Sequence, residues 1–243
     1  MIGIICALDK ELLHFEEDLQ ETSIKEIMGY TFKVGKINNH EVVLTKCGMG
    51  KVAAGIVCTL LIEHFKPTVV INSGIAGGFK HGLKPLDILN VTKVGCYDID
   101  MVLDGTLFGS ITGEPRFLTQ NKDLKTTTNI KVIKGTIMSA DCFQSDRNAC
   151  LNIFEKHFKE EDVIAVDMES YSIALICDKY HIDWCIVRAI SDIIGEESQI
   201  DSYQGFANKA ANNAYLLIKE NYLNWHFNLF KMSFYIKRGK KYG

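Results

Sequence analysis

Acidic residues stand where three short apolar runs of this chain end. Residues 2–8 lead into Asp9-Lys10-Glu11, residues 163–166 into Asp167-Met168-Glu169, and residues 184–187 into Arg188, Ser191 and Asp192. Short apolar runs rich in β-branched side chains read as buried strands of a mostly parallel sheet. Ligands of open α/β sheets bind beyond the carboxyl ends of such strands. A charge placed there is costly unless it is paired or used. One such cluster is equally explained by a buried ion pair. Two clusters, with Glu11 as a third member, point to a site.

Taken singly, the same residues allow plainer readings. Glu11 in the first turn of a helix would favour the helix dipole by about 0.3–1 kcal/mol. Asp192 could cap a turn, although Arg188 four positions earlier suggests an organised charge network. Phe143, just past an apolar run, could be a core side chain. Gly48-Met49-Gly50-Lys51-Val52-Ala53 fits the G-x-G-x-x-G/A pattern of dinucleotide sites. The next strand, however, ends at Asn72 rather than at the acid that a ribose would need. The other reading is a tight turn opening a helix whose free N–H groups face a ligand. Residues 73–78 form a second glycine-rich stretch, read as a turn. Its small residues would either bring backbone close to a ligand or make a plain loop.

The elements that must carry these groups follow from periodicity. Residues 2–8 read as a strand, followed by a helix through Leu19 with Asp9 as N-cap. Residues 30–37 and 41–47 are extended and joined by Asn38-Asn39, a hairpin signal. A helix is expected over 51–65, ended by Pro67, then a strand over 68–72. Further extended segments fall at 87–94 and 131–139, and helices at 145–158, 168–180 and 201–221. Residues 103–130 read as a long loop. Strands alternating with helices, plus an early hairpin, give a three-layer α/β/α domain with a mixed central sheet. The expectation is one domain over 1–222, with an aromatic-basic tail at 223–243.

Composition narrows the function classes. The net charge is −3 over 243 residues, and the tail carries five Lys/Arg and no acid, leaving residues 1–222 at −8. That argues against nucleic-acid binding by the main body. Eight cysteines without a C-x-x-C pair, most of them inside apolar runs, fit buried thiols in a reducing compartment. Seven scattered histidines give no metal-ligand spacing. No apolar run reaches the length of a membrane span, and the N-terminal run lacks the basic lead of a signal peptide. The expectation is a cytoplasmic protein using neither metal nor cofactor.

Five blocks then occur together in order and register: residues 3–11, 48–54, 71–78, 166–169 and 188–192. Together they closely resemble the 5′-methylthioadenosine/S-adenosylhomocysteine nucleosidases of the purine nucleoside phosphorylase superfamily, over about residues 1–222. The resemblance implies a nucleoside phosphorylase-like fold, a homodimer, and a hydrolase that releases adenine from an adenine nucleoside. It implies Asp192 as the general acid toward adenine N7, Glu11 as the group that activates water, and Glu169 as the ligand of the ribose hydroxyls. It further implies Met168 and Phe143 as contacts to ribose and adenine, and the Gln144 backbone as a partner of the base edge. Arg188 would hold the acidic cluster and Ser191 would orient Asp192. Leu8 and Met49 would receive the sulfur substituent, with Ile75, Ala76 and Gly77 lining the site. The chain departs from the family in Ile75, where Ser is common, in Asp167, where Glu is common, and in Gln144, which replaces an apolar residue.

Rival readings stay open at this stage. A phosphate-dependent phosphorylase would need a phosphate clamp, which favours bidentate arginines. The chain has only Arg116, Arg147, Arg188 and Arg238, none of them in the N-terminal loops. A hydrolase of another adenine nucleoside, such as aminodeoxyfutalosine, is a second rival. A non-catalytic nucleoside binder is a third, though binding a neutral sugar would not need three acids. A nicotinamide-dependent oxidoreductase is a fourth. The tail could touch an anionic membrane or a partner, or pack loosely on the body.

Overall fold

Strand β1 (Ile2–Cys6) shows in five residues how the layers are built. In the computed structural model, which describes residues 1–120, 124–126 and 131–224, its side chains alternate between two helical layers as period two requires. Ile4 and Cys6 pack with Leu12 and Phe15 of α1 (Asp9–Asp18) and with Ala210, Ala214 and Ile218 of α5 (Gln199–Ile218). Ile5 faces the other way, onto Val57 and Leu61 of α2 (Lys51–Phe65) and Ile173 and Cys177 of α4 (Ser170–Lys179). The buried alanines of α5, at 207, 210, 211 and 214, follow the helical period and let its backbone lie close to the sheet.

Among the described residues the sheet is mixed and has ten strands. β1 pairs in parallel with β4 (His40–Lys46) and β5 (Val69–Gly78). The hairpin of β3 (Tyr30–Ile37) and β4 forms as expected. β2 (Gln20–Ile27) extends it as an exposed edge strand. On the other side, β5 pairs in parallel with β10 (Asp183–Ile193), and β10 pairs antiparallel with β6 (Ile88–Cys96). β6 pairs in parallel with β8 (Val132–Ser139), and β8 with β9 (Val163–Asp167). β9 then returns to the last two residues of β5, Gly77 and Gly78. The ladder β5–β10–β6–β8–β9 therefore closes on itself, and β5 exchanges β1 for β9 as its neighbour partway along. Crevices form where strand neighbours part in this way.

Several sequence expectations are corrected. Residues 73–78 are not a turn: β5 runs through them, because each pairs with β10 between Val187 and Ile193. Ladder bonds there outweigh the weak strand propensity of glycine. The N-cap of α1 is Leu8, and Asp9 is its first helical residue. β1 ends at Cys6 rather than at Leu8. β2 was not anticipated because its residues are almost all exposed and polar, so no burial pattern marks it. β7 (Phe117–Thr119), inside the segment read as loop, pairs with β6. α3 (Arg147–His157) starts after an Asp146 cap whose carboxylate accepts from the Ala149 N–H. Leu223, which the sequence reading placed in the tail, is fully buried against the α5 core. The remainder of that tail, 225–243, lies outside the described residues. No described helix is long and apolar enough to cross a membrane.

Candidate active site

The ends of β1, β5, β9 and β10 border a cleft that opens to solvent. Four carboxylates line it, those of Glu11, Asp167, Glu169 and Asp192, and no Lys or Arg does among the described residues.

Glu11 is turned back beneath β1 by the start of α1. Its Oε2 accepts the N–H groups of Ala7 and Leu8 at 2.8 and 2.9 Å, and its Oε1 accepts that of Ile75 at 2.9 Å. Burial pushes this carboxyl above the usual range, against the opposing pull of Arg188 and the three N–H donors. Gly74 makes the approach possible: a Cβ there would stand 2.8 Å from Glu11 Oε1. The strand that looked like a turn thus owes Gly74 to the carboxylate packed on it, while Gly77 and Gly78 lie against Ile194 and Ile193.

Glu169 occupies the N-cap position of α4, and its Oε1 accepts the Gly50 N–H at 2.9 Å. Gly50 holds φ at +97° as the N-cap of α2, a conformation that glycine tolerates best. The G-x-G stretch is therefore a helix-opening turn with an N–H facing the site. Burial, and then the neighbouring charge of Asp167, push the Glu169 carboxyl up to about 7.

Asp192 lies one residue before the end of β10. Ser191 Oγ donates to its Oδ1 at 2.5 Å and Gln199 Nε2 to its Oδ2 at 2.8 Å. Burial raises this carboxyl too, with the two donors pulling the other way.

Arg188 does not line the cleft. It is 1 % exposed, and its guanidinium is committed to the structure around it. Nε and Nη2 donate to Asp167 Oδ2 at 3.0 and 2.7 Å, while Nη1 and Nη2 reach the backbone and side-chain oxygens of Asn72. Glu169 Oε2 is 4.0 Å from Nη2. Asp167 is held further by Ser139 Oγ at 2.5 Å and by Ser170 through both its N–H and its hydroxyl. Two serines thus surround the Asp167 carboxylate.

Every other residue singled out from the sequence borders the cleft: Leu8, Met49, Ile75, Ala76, Gly77, Phe143, Gln144, Met168 and Ser191, besides the three acids. Ile75 engages Glu11 through its N–H, so the missing hydroxyl leaves that contact unchanged. The Gln144 side chain turns away, accepting the N–H groups of Ser145 and Asp146, both at 3.1 Å. Sequence reasoning missed Tyr203, whose ring meets Phe143 edge-on at 5.3 Å, and Cys142, the one exposed cysteine of the eight. It also missed Gln199. Both Gln199 and Tyr203 belong to the first turns of α5, which no motif marks.

Fold and site together define a class. The chain belongs to the phosphorylase superfamily, whose family model matches residues 1–221. Within that superfamily it is similar to the 5′-methylthioadenosine/S-adenosylhomocysteine nucleosidases. The nucleosidase of Bacillus cytotoxicus is 36% identical over 218 residues, covering 86% of this chain and 93% of the relative. The solved nucleosidase of Neisseria meningitidis in complex with methylthio-immucillin-A superposes with a TM-score of 0.84 at 28% identity, covering 90% of this chain and 96% of that one. The Colwellia psychrerythraea nucleosidase in complex with adenine gives a TM-score of 0.82 at 30% identity, with 89% and 92% covered.

Proposed function

We propose that this protein hydrolyses the N-glycosidic bond of 5′-methylthioadenosine and S-adenosylhomocysteine, releasing adenine. One observation carries the choice of water over phosphate: four carboxylates and no cationic side chain among the described residues lining the cleft. A phosphate dianion would meet repulsion there, and the described arginines are engaged elsewhere. Arg188 is bound to Asp167 and Asn72. Arg116 donates to the carbonyls of Phe108 and His157, and Arg147 lies over the Phe79 ring.

The chemistry assigns the roles. Adenine leaves poorly as an anion, so it must gain a proton as the bond breaks. Asp192, held toward its neutral form by burial, gives that proton to N7. The C1′–N9 electrons pass to the purine, and the resulting ribosyl cation is captured by a water whose proton goes to Glu11. One acid and one base across the anomeric carbon is the logic of an inverting glycoside hydrolase. Glu169 binds the ribose hydroxyls, Met168 and Phe143 pack on ribose and base, and Leu8 and Met49 receive the sulfur substituent. Arg188 holds Asp167 and Glu169 in place, and Ser191 orients Asp192.

The same reading extends to the whole molecule. Met49 and Val52 are 64 and 73 % exposed, and with Tyr30 and Ile56 they border a groove beside the cleft; this apolar face supports a homodimer. Free cysteines, seven of them buried, support a cytoplasmic setting. Residues 1–222 form the catalytic domain, with Leu223 buried against them. The test is chromatography of the products after incubation with each nucleoside. The proposal requires adenine together with methylthioribose or S-ribosylhomocysteine, and intact nucleosides would overturn it.

A further inference from the structure

A 6-aminopurine presents an acceptor, N7, and a donor, the 6-amino group, side by side on one edge. A site that protonates N7 and also binds the amino group needs an acid and an acceptor at fixed spacing. In this chain the acid, Asp192, lies near the end of β10, while the base-edge backbone of Gln144 belongs to the loop before α3. One buried side chain joins them. Gln199 Nε2 donates to Asp192 Oδ2 and to the Gln144 carbonyl, each at 2.8 Å. The two oxygens therefore lie no further apart than twice that distance. The amide cannot turn over, because its Oε1 accepts the Gly195 N–H at 3.1 Å, leaving only the NH₂ for the two acceptors. Gln199 is 5 % exposed and is not among the cleft-lining residues. It acts from behind the two groups.

We propose that Gln199 is a positioning residue that sets Asp192 and the Gln144 carbonyl as one recognition edge for a 6-amino, and against a 6-oxo, purine. The proposal rests on the adenine-nucleoside reading of the cleft. A 6-oxo base would bring a second acceptor against the fixed carbonyl and leave both unpaired, the arrangement by which buried polar sites reject analogues most strongly. Without Gln199 the carbonyl is free to turn, and the acid loses the contact that aims it. The first change relaxes selection of the base; the second slows the chemical step.

The test compares the native chain with Gln199→Met, which keeps length and removes both hydrogen-bonding groups. A second variant, Gln199→Glu, keeps the acceptor for Gly195 and loses the amide donors. Turnover of 5′-methylthioadenosine and of its 6-oxo analogue, 5′-methylthioinosine, is measured for each, with adenine and hypoxanthine binding by calorimetry. In both variants kcat for the 6-amino substrate should fall roughly 10- to 100-fold with KM changed less, the size expected for a misaimed general acid. The preference for the 6-amino over the 6-oxo compound should narrow by about tenfold or more. Equal losses on both substrates, or an unchanged preference in a folded variant, would overturn the role of Gln199 while leaving the hydrolase intact. If the native chain binds adenine but releases none, the hydrolase reading fails, and the adenine-to-hypoxanthine binding ratio still decides for or against Gln199. If it binds neither base, both fall.

Discussion

Asp192 and Glu11 are buried carboxylates made different by their donors. Burial raises the Glu11 carboxyl too, and its three backbone N–H donors, with Arg188, pull back toward the anion that a base requires. Asp192 accepts two side-chain donors, Ser191 and Gln199, and burial holds its carboxyl above the usual range. Replacing the acid with its amide removes the proton but keeps the shape. Asp192→Asn should therefore lower kcat by roughly 10²–10⁴ while adenine binding, read by calorimetry, persists. A folded Asp192→Asn chain with near-native turnover would remove Asp192 from that role. At this scale the sequence was informative wherever a residue type sat at a strand end, as with Glu11, Glu169 and Asp192. It was silent on Gln199 and on the pairing of Asn72 with Arg188. Their work depends on partners 55 and 116 positions away, and no local pattern encodes such pairs.

Among the elements, β5 most affects the site. It carries Gly74, which admits Glu11, and it changes neighbours from β1 to β9 along its length. The Gly74 position has no room for a methyl group: a Cβ placed there would meet Glu11 Oε1 at 2.8 Å and Arg188 Nη1 at 3.4 Å. Gly74→Ala should destabilise the fold by about 1–3 kcal/mol through overpacking and lower turnover by displacing Glu11. Denaturant unfolding and kcat measured on the same sample would show both effects together; a loss of neither would mean that the contact is soft. Apolar runs and helical periods revealed most other elements, because burial imprints a period on sequence. They failed for β2, which buries almost nothing, and for 73–78, where tertiary packing imposed small residues on a strand.

Across the whole molecule, the closed ladder of five strands and two flanking helix layers gather the acids of separate strands around one cleft. Concentrating carboxylates this way has a linked cost. The Glu169 carboxyl titrates near 7 in the fold against 4.5 in the free chain, so the native state binds the extra proton between those values. Stability from this group is full below about pH 4.5 and is lost as pH rises through about 7. The melting temperature of the native chain relative to Glu169→Gln should accordingly decline across that window, in scans at matched ionic strength. A constant difference would show that Glu169 is not held protonated. The overall architecture was legible because alternating strands and helices admit few arrangements. The closure of β9 onto β5 was not, since it rests on two glycine pairings that carry no sequence signal.

The most direct test of the central claim is adenine release from 5′-methylthioadenosine in phosphate-free buffer, repeated after phosphate is added. A cleft of carboxylates that uses water predicts the same rate in both, with free methylthioribose as the coproduct. Release that depends on phosphate and yields a sugar 1-phosphate would contradict it.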